Sequence, residues 1–105
     1  SIRVPVPAGS IVDVTFISQK ETTAEEVNDV LRKAAATDRW KNIFSATDEE
    51  LVSSDILGSN YGSIADLKMT RVVGGNLIKV MAWYDNEAGY TYTLVDHVIK
   101  TGKTI

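Results

Sequence analysis

Apolar and polar residues alternate along residues 11–19 and again along residues 63–73, and a period of two is typical of β-strands. A third segment, residues 77–83, is apolar almost throughout, which predicts a strand in the middle of the sheet. Gly74 and Gly75 separate the second and third segments and supply the positive φ that a tight hairpin requires. The pattern therefore predicts three long strands, two of them joined as an antiparallel hairpin.

A different spacing follows the first strand and predicts a helix. Val27, Val30, Leu31 and Ala34 recur at positions i, i+3, i+4 and i+7, which forms an apolar stripe that must face a sheet or another helix. Capping-box pairs precede the stripe, since Thr22 is followed by Glu25 and Thr23 by Glu26. This helix is expected to end near Ala36.

The end of the chain shows a second helical spacing. Tyr90, Leu94 and Val98 are four residues apart, and Gly102 is a plausible stop. β-Branched residues are frequent in this segment, so the helix is expected to depend on packing. Together the elements predict an α+β fold for residues 1–105, a mostly antiparallel (mixed) sheet with helices on one face.

Composition limits the classes of function. A chain of 105 residues is long enough for one domain and not two. Its net charge of −3 gives no basic surface for nucleic acid, and no apolar run approaches the roughly 18 residues of a membrane span. It contains no cysteine, which excludes disulfides, thiolate metal sites and thiol catalysis by these residues and fits a cytoplasmic origin.

Residues 82–90 contain more polar and aromatic side chains than a strand-to-helix connection requires. They contain three aromatic residues, two acids, an amide and a glycine. Capping the following helix needs one short polar side chain, and either Asp85 or Asn86 would fill that role. The remaining side chains suggest ligand contact, because connections at strand ends are where α/β proteins place binding groups.

Three motifs span most of the chain, from residue 3 to residue 90. They are Arg3-Val4-Pro5-Val6-Pro7 followed by Ser10-Ile11-Val12-Asp13-Val14-Thr15, the run Val52-Ser53-Ser54-Asp55, and Trp83-Tyr84-Asp85-Asn86-Glu87-Ala88-Gly89-Tyr90. In this order and spacing they resemble the catalytic domain of phosphorylating glyceraldehyde-3-phosphate dehydrogenases. The resemblance implies a single-domain, C-terminal fragment of that catalytic domain, with the dinucleotide-binding domain absent. It also implies the mixed sheet with helices across one side.

The resemblance implies roles for three residues. Arg3 would bind the phosphate of the substrate, Asn86 would hold the nicotinamide carboxamide, and Tyr90 would lie beside the nicotinamide. Without the resemblance, the same residues would be an exposed strand arginine, a helix N-cap and a core aromatic. Val6 stands where many family members carry a hydroxyl residue, which leaves one fewer donor near Arg3.

The family's reaction converts glyceraldehyde 3-phosphate, inorganic phosphate and NAD to 1,3-bisphosphoglycerate and NADH. It requires a nucleophilic cysteine, a histidine base and a dinucleotide-binding domain. This chain has no cysteine, and its one histidine, His97, lies late in the last helix. We therefore expect no catalytic residue and no metal ligand here, and an inactive isolated chain.

The parent enzyme is expected to be a cytoplasmic homotetramer of glycolysis. The fragment is expected to dimerise, swap or aggregate through an apolar edge and surface that the missing half would cover. NADP in place of NAD, an erythrose-4-phosphate dehydrogenase, and a non-catalytic α+β interaction module remain open as alternatives.

Overall fold

The computed structural model describes residues 4–105, and Arg3 therefore lies outside the described residues. Within them the chain forms five strands and three α-helices. In chain order these are β1 (Ser10–Ile17), α1 (Ala24–Ala36), β2 (Phe44–Thr47), α2 (Ser53–Ile56), β3 (Ser63–Asp66), β4 (Arg71–Val73), β5 (Leu77–Tyr84) and α3 (Ala88–Gly102). No helix in this part of the chain is both long enough and apolar enough to cross a membrane.

All strands belong to one sheet, in the order β1, β5, β3 and β2. β4 pairs with β5 beyond the end of β3. Only the pairing of β2 with β3 is parallel, so the predicted α+β fold with a mostly antiparallel, mixed sheet is confirmed. The apolar strand β5 lies in the middle, as its composition indicated.

The long strand predicted over residues 63–73 is wrong at its centre. A turn of 3₁₀ helix, Leu67–Met69, separates β3 from β4. Leu67 and Thr70 are both buried. Residues three apart lie on opposite faces of a strand but on the same side of a 3₁₀ turn, so the turn allows both to enter the interior.

The predicted hairpin between β4 and β5 is confirmed. Gly74 and Gly75 have φ values of 62° and 82°, and Val73 then pairs with Leu77. Residues with a Cβ rarely adopt this conformation, which explains the two glycines.

Helix α1 begins and ends as predicted, but its buried face differs from the apolar stripe. Thr23 is the N-cap, and its Oγ1 accepts a hydrogen bond of 3.3 Å from the backbone N–H of Glu26. Val30 is 66% exposed, whereas Asn28 is only 7% exposed. The Asn28 side-chain amide donates to the carbonyl of Leu67 at 3.0 Å. A polar residue is thus buried because the 3₁₀ turn offers a carbonyl that needs a donor.

The core lies where β5 and β3 meet the chain around them. Its most buried apolar residues are Ile56, Ala65, Leu67, Ile78 and Ala82. Four of the five belong to β3, the 3₁₀ turn or β5, so the interior is centred on the middle of the sheet.

Helix α3 forms as predicted, but it is not packed along its length. Its large apolar side chains are between 45% and 66% exposed: Tyr90, Tyr92, Leu94, Val95, Val98 and Ile99. Gly89 is its one buried residue. The alternative of a core role for Tyr90 does not agree with the 66% exposure of its side chain.

We expect Asn28→Ala to destabilise the fold by about 1–3 kcal/mol, because the buried carbonyl of Leu67 would lose its donor. Urea unfolding followed by circular dichroism measures this change. Asn42→Ala is the matched control, since Asn42 is exposed. Equal stability of the two variants would contradict a structural role for the buried amide.

Candidate functional site

The connection between β5 and α3 is organised by the carboxylate of Asp85, which is buried. Its Oδ1 accepts hydrogen bonds from the backbone N–H groups of Glu87 at 2.8 Å and Ala88 at 2.9 Å. Its Oδ2 accepts from the backbone N–H of Gly58 at 2.9 Å. Of the two predicted capping residues, Asp85 therefore caps α3, and it also holds the loop after α2.

These contacts favour the charged form of the carboxyl group. The N–H of Gly58, and then those of Ala88 and Glu87, lower the pKa of Asp85, and burial opposes them. A carboxylate that accepts several backbone N–H bonds is stabilised relative to its protonated form. Asp85 is accordingly ionised at neutral pH.

Trp83 is anchored beside this connection. Its indole Nε1–H donates to Oδ2 of Asp66 at 3.0 Å, and Asp66 is almost completely buried. The alternation of residues 63–73 had placed Asp66 on the polar, outward face. Sequence reasoning thus missed a residue that holds the end of β5, and no pattern around Asp66 distinguishes it from a solvent-exposed acid.

Gly89 allows the first turn of α3 to approach the rest of the domain. A Cβ at this position would lie 2.5 Å from the carbonyl oxygen of Tyr61, which is closer than such atoms approach in proteins. The hydroxyl of Thr93 donates to the Gly89 carbonyl at 2.8 Å, and a Cβ on Gly62 would meet that hydroxyl at 3.3 Å. The glycine of the motif is therefore required by a backbone contact.

Asn86 is exposed, and within residues 4–105 its carboxamide has no hydrogen-bond partner. It lines a cavity of about 860 Å³. The N-terminal segment borders the same cavity through Val4, Val6, Pro7, Ala8, Gly9, Ser10, Ile11, Val12 and Asp13. The antiparallel register explains this proximity, because Ser10 at the start of β1 pairs with Tyr84 at the end of β5.

The three predicted site residues differ in their position relative to this cavity. Asn86 lines the cavity. Arg3 precedes Val4, which lines the cavity, but Arg3 itself is outside the described residues. Tyr90 is exposed on α3 and is not among the lining residues. The structure thus brings the segment after Arg3 to Asn86, and it does not bring Tyr90 to this cavity.

Metal binding finds no support in the part of the chain that the structure describes. Among residues 4–105, no group of three or more histidine, cysteine, aspartate or glutamate side chains is placed to hold an ion. His97 is exposed on α3.

Comparison with known protein families identifies the class of protein to which this chain belongs. The family model described as "Glyceraldehyde 3-phosphate dehydrogenase, C-terminal domain" matches residues 1–86. The chain belongs to this family, and the resemblance carried by the three motifs is confirmed.

Similar curated proteins are named glyceraldehyde-3-phosphate dehydrogenase. The one from Zymomonas mobilis is 46% identical over 105 residues, which is 100% of this chain and 31% of that protein. The one from Borreliella burgdorferi is 48% identical over 97 residues, or 91% of this chain and 29% of the relative. The one from Thermotoga maritima is 52% identical over 88 residues, or 84% and 26%. The chain thus spans less than a third of the length of these relatives.

We expect Asp85→Asn to lower the stability of the fold at neutral pH. We also expect the stability of the variant to depend less on pH than that of the wild type. Because the folded-state pKa of Asp85 is lowered, its contribution is fully present above the unfolded value of about 3.9 and is lost as pH falls through the folded value. Thermal unfolding at a series of pH values from neutral to acid measures this. The gap between wild type and variant should narrow as pH falls.

The matched control is Asp38→Asn, because the Asp38 side chain is 97% exposed and its pairing with Lys41 is a surface contact. A gap between wild type and Asp85→Asn that stays constant at every pH would contradict an ionised cap.

Proposed function

We propose that this chain is the C-terminal part of the catalytic domain of an NAD-dependent, phosphorylating glyceraldehyde-3-phosphate dehydrogenase. Support comes from the family match over residues 1–86 and from relatives of that name. The observation that carries the proposal is the position of Asn86. Its carboxamide lines the same cavity as the segment that follows Arg3, and Asp85 performs the capping role in its place.

The parent enzyme would convert glyceraldehyde 3-phosphate and inorganic phosphate to 1,3-bisphosphoglycerate, and NAD, when bound, accepts the hydride. Asn86 suits the cofactor because a side-chain amide can donate to and accept from another carboxamide. Arg3 would bind the phosphate of the substrate through paired charged donors. Tyr90, exposed on the first turn of α3, would lie beside the nicotinamide.

The 105 residues alone would not catalyse this reaction. A thiolate is required to attack the aldehyde, and the chain contains no cysteine. His97 would not replace the missing base, because the thiol with which that base must pair is absent from the chain. The residues of this chain would therefore bind and orient, while bond formation belongs to the remainder of the parent enzyme.

The assembly and location of the parent follow from the same proposal. We propose a homotetramer in the cytoplasm, acting on a sugar-phosphate aldehyde in glycolysis. The net charge of −3 offers no basic surface that would suggest a nucleic acid as a further partner.

The purified 105-residue chain is expected to show no turnover with glyceraldehyde 3-phosphate, phosphate and NAD. NADH formation followed by absorbance measures this, with an intact glyceraldehyde-3-phosphate dehydrogenase as the positive control. Enzymatic turnover by the pure chain would overturn the proposed division between binding residues here and bond-making residues elsewhere.

A chimera tests the binding roles directly. This chain would replace the aligned 31% of the Zymomonas mobilis relative, to which it is 46% identical. We expect an active chimera in which Asn86→Ala raises the KM for NAD by about tenfold, because one to two hydrogen bonds are lost. Arg3→Ala should instead raise the KM for the sugar phosphate by roughly tenfold to a hundredfold.

His97→Ala is the control and should leave both KM values unchanged, because His97 is exposed and has no proposed role. Assays of the chimera with erythrose 4-phosphate test the alternative substrate. An active chimera whose KM for NAD is unaffected by Asn86→Ala would refute the cofactor role of this residue.

A further inference from the structure

The carboxylate of Asp85 places a negative charge next to Asn86, the residue proposed to bind the cofactor. Among the described residues, its hydrogen-bond donors are the backbone N–H groups of Gly58, Glu87 and Ala88, at 2.8–2.9 Å. None of the ion pairs found in residues 4–105 includes it. Backbone N–H groups are dipoles without net charge, so they hold the carboxylate in its ionised form and do not neutralise it.

This charge outweighs the positive end of α3. The N–H of Gly89 donates to the carbonyl of Asp85 at 3.1 Å, which is the α-helical pattern, so Asp85 stands at the N-terminus of the 15-residue helix. A helix N-terminus carries a partial charge of roughly +0.5, which by itself favours anions. Asp85 adds a full negative charge there and occupies the N–H groups of Glu87 and Ala88 that an external anion would need. The helix end beside Asn86 is therefore net negative.

The cavity that Asn86 lines contains no described positive group that would offset Asp85. Within residues 4–105 its one charged lining residue is Asp13, an acid, whose carboxylate pairs with Lys79 at 2.8 Å. Lys79 is not among the lining residues. Arg3 lies outside the described residues, and its proposed partner is the phosphate of the substrate. The wall around Asn86 thus suits a neutral group better than an anion.

The amide of Asn86 by itself would discriminate only weakly between neutral and anionic partners. A side-chain amide offers two donor hydrogens and one acceptor oxygen. A carboxamide ligand can use both kinds of group, whereas a carboxylate ligand can only accept. The donors of Asn86 would still bind a carboxylate, so the neighbouring charge must provide much of the discrimination.

We propose that Asp85 makes the Asn86 position selective for a neutral carboxamide and against a carboxylate. The inference rests on the proposed cofactor role of Asn86 and deepens it, because it assigns the choice of ligand group to a second residue. Asp85 does not touch the ligand. It acts through its charge and through the first turn of α3, to which Asn86 is attached.

The size of the effect follows from the separation of the charges. Adjacent Cα atoms are about 3.8 Å apart, so a group bonded to Asn86 lies within roughly 10 Å of the Asp85 carboxylate. Repulsion between two unit charges at roughly 10 Å corresponds to about twofold in affinity in bulk water and to more than about tenfold at an effective dielectric constant of about 20. We expect about fivefold for this partly open cavity.

Steady-state kinetics of the chimera with the Zymomonas mobilis relative tests the proposal. The two cofactors are NAD and nicotinic acid adenine dinucleotide, which differ only in carrying a carboxamide or a carboxylate on the ring. The chimera should prefer NAD in kcat/KM by at least about tenfold, and Asp85→Asn should reduce this preference by about fivefold. Asparagine and aspartate are comparable N-caps, so the helix end is retained while the charge is removed.

Two further substitutions separate charge from position. Asp85→Ser also keeps a capping oxygen without a charge, and it should reduce the preference as Asp85→Asn does. Asp85→Glu keeps the charge, so it should retain the preference even where kcat/KM falls for both cofactors. A purely structural role would lower kcat/KM equally for both cofactors and leave their ratio unchanged. Asp38→Asn is the matched control, because the Asp38 side chain is 97% exposed.

A second measurement uses the 105-residue chain itself. Nicotinamide and nicotinate carry the same two ring groups as the cofactors, and each is titrated into the isotope-labelled chain while NMR follows the side-chain amide of Asn86. Nicotinamide should perturb this signal more than nicotinate does. In Asp85→Asn the two responses should become more similar.

Two results would overturn the selectivity role and leave the cofactor role of Asn86 intact. One is a preference for NAD that neither Asp85→Asn nor Asp85→Ser changes. The other is a nicotinate response at Asn86 as large as that to nicotinamide. Failure of the proposed function is distinguishable from both, because it would appear as a KM for NAD that Asn86→Ala does not change.

Discussion

The carboxylate of Asp85 is the contact on which the candidate site depends. It binds three backbone N–H groups from two separate parts of the chain, the first turn of α3 and the loop after α2. A carboxylate is suited to this because it is acceptor-only and can accept at both oxygens. Since Asp85 caps the helix, Asn86 keeps its carboxamide exposed at the cavity. The capping contacts and the exposed carboxamide thus belong to two neighbouring residues.

Strand β5 connects the remaining features. It pairs with β1 on one side and with β3 and β4 on the other. Its antiparallel register with β1 places Ser10 beside Tyr84, so motifs from opposite ends of the sequence border one cavity. The bond between Trp83 and Asp66 holds the end of β5 against β3. One side of the cavity is therefore built on β1 and β5, and the segment before β1 and the residues around the start of α2 line the rest.

The apolar layer is closed at the middle of the sheet and open at β1. Ile78, Ala65 and Ala82 are buried, whereas the β1 residues on the same face are close to half exposed. A chain of this size has a limited core.

Local sequence determined the elements whose signals lie within a few residues. The helical spacing and capping box predicted α1, the alternation predicted β1, and paired glycines predicted the hairpin. Three motifs indicated the family. The sequence also limited the candidate caps of α3 to Asp85 and Asn86. The burial of individual residues depended instead on which groups face them in the folded structure. Asn28 and Asp66 are buried because partners distant in sequence offer them hydrogen bonds, and periodicity contains no information about such partners. The 3₁₀ turn that interrupts the second strand, and the exposure of α3, were likewise decided by tertiary packing, because burial belongs to the contact between elements and not to either element alone.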